Sequence, residues 1–158
     1  MKWLYDDGGR AAAGYKGKTG DCVARAITIA SGLPYTEVCS KLAAGMGSQR
    51  RSKHEARRGI KRASSAFNGV SVHRKWFKDY MQSLGFVWTA TMQIGSGCKV
   101  HLDSDELPAG RLVVAVSKHF VAVIDGIVHD LYDPSRDGTR CVYGYWKMIS
   151  GARGCSAA

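Results

Sequence analysis

The chain has 158 residues, of which 45% are hydrophobic and 23% charged, and its net charge is +10. This length and composition are typical of one soluble globular domain and exclude a wholly disordered chain. No apolar run reaches about 18 residues, the minimum for a spanning helix, and the first residues do not have the pattern of a signal peptide. We therefore expect a single domain over residues 1–158, no membrane partner, and a location in the cytoplasm.

The first half of the chain predicts two short helices after an unpatterned start. Residues 1–20 are rich in Gly and Ala and are expected to form an extended or loop segment lying on the domain. The apolar residues of 22–31 form a broad helical stripe, with Gly32 as its C-cap. A second helix is expected to start at Pro34 and to end at Gly45.

Residues 46–66 break this pattern and concentrate positive charge. They are expected to form a loop or an exposed helix. The segment 50–62 has a single acidic residue, Glu55, and seven basic ones: Arg50, Arg51, Lys53, Arg57, Arg58, Lys61 and Arg62. Such a basic segment can bind a nucleic acid or an acidic protein, with Trp76 and Tyr80 nearby for stacking on bases.

The second half of the chain predicts one amphipathic helix and then mostly strands. The helix covers Val72 to Leu84 and is closed by Gly85. The predicted strands are 86–91, 112–116, 120–124, 127–131 and one within 140–149, and the tail 150–158 is expected to be frayed. Helices followed by strands predict an α+β fold in which N-terminal helices pack on a C-terminal antiparallel sheet.

The five cysteines are odd in number, irregularly spaced and without a C-x-x-C pair. This pattern disfavours a disulfide framework or a four-thiolate zinc site and favours a reducing compartment. A weaker alternative is zinc bound by Cys98 and His101, with a further cysteine completing the ligand set. We expect neither a metal nor a cofactor.

Cys22 is the candidate nucleophile, because it opens the first predicted helix. A helix N-terminus lowers the pKa of a thiol through the helix dipole and the free N–H groups, and Asp21 is a candidate N-cap. A thiol nucleophile also needs an imidazole. Of the five histidines, His119 begins a strand directly after a buried run, where a cleft can hold a polar ring.

The acid that orients this ring follows from hairpin arithmetic. If Asp125 and Gly126 form a two-residue turn, residue 124 opposes 127 and residue 119 opposes 132. Asp130 is then a diagonal neighbour of His119 on the same face. A change of one residue in the turn would put Asp133 there instead, so both acids remain candidates.

These residues resemble the papain-like cysteine peptidase superfamily. The segment "DCVARAITIASG" is similar to the Asp-Cys helix of peptidase domains in bacteriocin-processing transporters, and "HFVAVIDG" is similar to a His-x-x-Ala-Val-x-Asp-Gly strand in small phage and prophage proteins of the same clan. The match covers residues 21–35 and 111–145. It implies a papain-like fold, a nucleophile at Cys22, a general base at His119 and an orienting acid at Asp130 or Asp133.

The chain departs from the family in one respect. Papain-like enzymes use an amide side chain before the nucleophile in the oxyanion hole, whereas "YKGKTGD" contains no Gln or Asn. The candidate donors are the Cys22 backbone N–H together with Lys16, Lys18 or Thr19.

Two functions are therefore open. The first is a phage- or prophage-type cysteine peptidase or amide hydrolase that acts on a protein or peptide, isopeptide bonds included, through a Cys-His-Asp triad and an acyl-enzyme. If a phage encodes the chain, the expected location is the cytoplasm of the bacterial host. The second is a catalytically weak or inactive protein of this fold that binds nucleic acid or a host protein through segment 50–62.

Overall fold

A computed structural model describes residues 1–49, 53–59, 65–67 and 69–149. The helices are α1 (Cys22–Ser31), α2 (Tyr35–Ser48), α3 (Lys53–Arg57) and α4 (Lys75–Ser83). The strands are β1 (Lys2–Tyr5), β2 (Phe86–Ala90), β3 (Arg111–Val116), β4 (His119–Ile124), β5 (Ile127–Asp130) and β6 (Val142–Met148). The predicted α+β class is confirmed, while the frayed tail predicted for 150–158 lies outside the described residues.

The strands form one six-stranded sheet in the order β1-β5-β4-β3-β6-β2. All neighbours are antiparallel except β1, which runs parallel to β5. The prediction of an antiparallel sheet is therefore wrong at this edge, and the sheet is mixed. The extended segment predicted near the N-terminus supplies the additional strand.

Both faces of the central strands are covered, as the continuous apolar run of β3 predicts. Val113 and Ala122 pack with α1, α2 and α4 in one hydrophobic cluster. Leu112 and Val121 belong to a second cluster on the opposite face, which the segment around Leu102 covers. The sheet is thus a rigid support for residues at its ends.

Helix α1 lies deep in the first cluster, and its residues from Val23 to Ala30 are all buried. It begins at Cys22 and is followed by Gly32 in the left-handed conformation, with a φ of 76°, as predicted. The helix packs on β4, β3 and β5. Because α1 is fixed on all sides, the position of its first residue is fixed as well.

Two predicted helix limits are wrong. Helix α2 continues through Gly45 to Ser48. Gly45 does not end the helix but makes room for the Trp76 ring, because a Cβ there would lie 2.2 Å from that ring. Helix α4 begins only at Lys75, since a turn in which the Arg74 N–H donates to the Ser71 carbonyl precedes it.

Candidate active site

The β4–β5 hairpin forms in the predicted register. Ile124 pairs with Ile127 across Asp125 and Gly126, which both have positive φ. At its other end, β4 is joined to β3 by a two-residue turn, and Val116 pairs with His119 across that turn. His119 is thus the first residue of a central strand and lies at the end of the sheet.

Cys22, His119 and Asp130 lie next to one another. The His119 Nε2 lies 2.5 Å from the Asp130 Oδ2, and both side chains are buried. The Cys22 thiol lies beside the same ring, and each of the two groups shifts the pKa of the other. Since Nε2 faces the carboxylate, Nδ1 is the nitrogen left for the thiol. The structure therefore brings together three of the four predicted catalytic residues.

Asp133, the alternative acid, lies elsewhere. It is exposed, and its Oδ1 accepts a hydrogen bond from the Ser135 N–H at 2.9 Å in the loop after β5. His129 points to the other face, where its Nδ1 is 3.1 Å from the Asp6 Oδ2. The register of the hairpin is what separates Asp130 from Asp133.

The environment favours a thiolate–imidazolium pair. Burial alone would raise the pKa of Cys22, but the bonds with His119 and with the Phe120 backbone N–H outweigh it, and the pKa is lowered below its ordinary value. Burial would lower the pKa of His119, yet its hydrogen bonds to Asp130 and Cys22 raise that pKa to about 9. Both shifts favour a proton on His119 and a thiolate at Cys22.

Arg25 was not predicted and lies behind this pair. It is one turn after Cys22 on α1, only 5% exposed, and its guanidinium contacts Asp21 on one side and Asp130 on the other, the latter at 3.3 Å. The Leu131 backbone N–H also donates to Asp130, at 2.7 Å. The carboxylate that holds His119 is thus itself held in place. An arginine inside an apolar stripe is the sequence signal for such a buried acid.

Asp21 occupies the N-cap position of α1, but its side chain makes no capping bond, so the predicted capping role is wrong. Its carboxylate binds Arg25, accepts a hydrogen bond from the Tyr35 hydroxyl at 2.6 Å, and lies 3.1 Å from the Arg10 Nε. A buried carboxylate requires such partners, and together they join the N-terminal segment, α1 and α2 behind the site.

A groove of about 680 Å³ opens at Cys22 and His119. We call it the Cys22 groove; it runs between α4 and the ends of β3, β6 and β2, and Trp88, Trp146, Tyr143, Lys78 and Lys118 are among its lining residues. Lys16, Lys18 and Thr19, the predicted oxyanion donors, are exposed and do not line it. The amide side chain that does line the groove is that of Gln82, on α4.

The residues of the zinc alternative make other contacts. Cys98 and Cys141 form a disulfide, and His101 bonds Glu106 through Nδ1. The disulfide contradicts the zinc alternative, and it is a bond that the cysteine pattern does not predict. Since disulfides are uncommon in a reducing cytoplasm, the cytoplasmic location stays a prediction.

In segment 50–62, the structure describes Lys53, Arg57 and Arg58, which are exposed; Arg50, Arg51, Lys61 and Arg62 lie outside the described residues. Trp76 and Tyr80 are partly buried against the hydrophobic core, and their stacking on bases stays a prediction. Nucleic-acid or protein binding by this segment stays a prediction.

Among the described residues, no group of three His, Cys, Asp or Glu side chains is arranged to hold a metal ion, and no helix is long and apolar enough to cross a membrane. The chain matches no protein-family model, no curated protein and no solved structure. An assignment of function therefore depends on the residues of the site.

Proposed function

We propose that the protein is a papain-like cysteine peptidase or amide hydrolase, of the type found in small phage and prophage proteins. The observation that carries the proposal is the half-buried Cys22 beside the buried His119–Asp130 pair, at a helix N-terminus that opens into a groove. This combination provides a thiolate, a proton donor and a place for substrate.

The reaction starts with attack of the Cys22 thiolate on an amide carbonyl carbon. The resulting oxyanion accepts a hydrogen bond from the Cys22 backbone N–H, which has no intrahelical acceptor at the first position of α1. The His119 imidazolium gives its proton to the amide nitrogen, the C–N bond breaks, and the amine leaves. His119 then takes a proton from water, whose oxygen attacks the thioester and releases the acid and the thiolate.

Asp130 and Arg25 act through His119 in this scheme. Asp130 fixes the ring so that Nδ1 faces the thiol, and it stabilises the imidazolium. Arg25 holds Asp130 and adds positive charge near Cys22, where it helps to lower the pKa of the thiol. Arg25 is a positioning residue and does not reach the reacting atoms.

The proposal is tested by incubating the protein with a peptide library and with a peptidyl acyloxymethyl ketone, followed by mass spectrometry. We expect new peptide termini and an adduct on Cys22, both lost in Cys22→Ser and reduced by at least about a thousandfold in His119→Ala. Cys39→Ala is the matched control, because Cys39 is the other free cysteine of the described residues and is buried. An adduct without turnover would contradict the hydrolase and leave a reactive binding protein.

A further inference from the structure

The floor of the Cys22 groove is aromatic and apolar. Trp88 and Trp146 face each other across β2 and β6, with ring centroids 5.3 Å apart. Gly144 makes room for this pair, because a Cβ there would lie 2.3 Å from the Trp88 ring. Trp88 remains 41% exposed, so the groove offers a rigid aromatic surface for an apolar side chain.

The rim of the groove is positively charged. Lys78 lies on α4, and Lys118 lies in the β3–β4 turn directly before His119, with a φ of 54°. Both are exposed, and His73 is a third basic residue at the groove. The described residues that line the groove include no Asp or Glu. A ligand therefore meets positive charge around an apolar floor.

We propose that the substrate is an acidic peptide with a bulky apolar side chain beside the scissile amide. This inference rests on the proposed function, since the groove opens at Cys22. The apolar side chain lies on Trp88, and an Asp or Glu of the peptide faces Lys78 and Lys118. A volume of about 680 Å³ accommodates a few side chains, which fits a short peptide segment.

Binding to the full-length Cys22→Ala variant tests the inference without any catalytic step. Four fluorescent peptides combine Phe or Gly at one position with Glu or Lys at the flanking positions, and fluorescence polarisation gives their affinities. We expect the Phe–Glu peptide to bind about tenfold more tightly than either the Phe–Lys or the Gly–Glu peptide. Its advantage over the Phe–Lys peptide should shrink with added salt.

Charge reversal then assigns the effect to the groove. The double change Lys78→Glu and Lys118→Glu should make the Phe–Lys peptide the better ligand, whereas Lys41→Glu on the exposed face of α2 should leave the order unchanged. Equal binding of the four peptides, or an unchanged order in the double variant, would overturn the inference. The inference would also be overturned if single-stranded DNA bound more tightly than the Phe–Glu peptide and displaced it, and if this binding were lost in the double variant. The groove would then be a nucleic-acid site. If the wild-type protein still cleaves peptides of the library and its Cys22 still reacts with the ketone, these failures leave the proposed function standing.

Discussion

At the scale of single residues, the site is a chain of charges in which each side chain sets the state of the next. Arg25 stabilises the Asp130 carboxylate, Asp130 raises the pKa of His119, and protonated His119 lowers that of Cys22. The helix start predicts Cys22, the strand after the buried run predicts His119, and the hairpin register leaves Asp130 and Asp133 as alternatives, of which the fold places Asp130 at the ring. The sequence does not predict the role of Arg25, because its two acids are brought together only by the fold.

The pH dependence of hydrolysis should show an alkaline limit near pH 9. His119 has its pKa raised to about 9, so the imidazolium that protonates the leaving amine is present below this pH and is lost above it. For any peptide that the protein cleaves, kcat/KM should therefore fall as the pH rises through about 9. A fall near the ordinary histidine pKa of about 6.5 would show that Asp130 and Cys22 do not hold the proton on His119.

Replacing Arg25 should change both stability and the Cys22 thiol. In Arg25→Met, two buried carboxylates lose their shared cation, which should lower the free energy of unfolding by about 3 kcal/mol or more. The pKa of Cys22 should rise, because a nearby positive charge is removed.

Arg25→Lys is the control, since it keeps the charge and loses the two-sided contact. Arg25→Lys should keep most of the lowering of the Cys22 pKa, measured by alkylation against pH. It should recover only part of the free energy of unfolding, measured in urea. If Arg25→Met lowers stability without moving the Cys22 pKa, Arg25 is a structural residue only.

At the scale of elements, the strands with local signals are predicted well and the others are not. The β-branched run of β3 and the Asp125-Gly126 turn identify β3, β4 and β5 directly. β1 has no such signal, because its four residues are all exposed and its partner, β5, is more than a hundred residues away. The end of α2 is missed because a glycine that ends helices in many sequences here makes room for Trp76.

Gly45→Ala tests this packing. Alanine has a higher helix propensity than glycine by about 1 kcal/mol, yet the added Cβ would collide with the Trp76 ring. We expect a net loss of about 1–3 kcal/mol in the free energy of unfolding. Gly47→Ala, at an exposed position of the same helix, should stabilise instead. Equal stabilisation by both changes would show that Trp76 does not pack on Gly45.

At the scale of the whole molecule, the chain is held together by contacts between distant segments. The disulfide between Cys98 and Cys141 closes a loop with a sequence separation of 43 and ties the segment before β3 to the start of β6. Sequence spacing alone does not reveal this pair, because the two cysteines meet only when the sheet has formed.

Opening this disulfide should destabilise the protein. Loop-closure entropy for this separation gives up to about 4 kcal/mol, so the midpoint of urea unfolding should fall when a reductant is added. The Cys98→Ala and Cys141→Ala double variant should unfold at the reduced midpoint and no longer respond to reductant. Identical midpoints with and without reductant in the wild type would show that the bond contributes no stability.

The most direct test of the account is the rate at which iodoacetamide alkylates Cys22 as a function of pH. An ordinary thiol is almost wholly protonated at about pH 6, whereas the pairing with His119 predicts that Cys22 still reacts readily there. His119→Ala should move the inflection of the profile upward by at least about one pH unit. An unshifted profile in His119→Ala, or a wild-type thiol that becomes reactive only near its ordinary pKa, would contradict the assignment of Cys22 as an activated nucleophile.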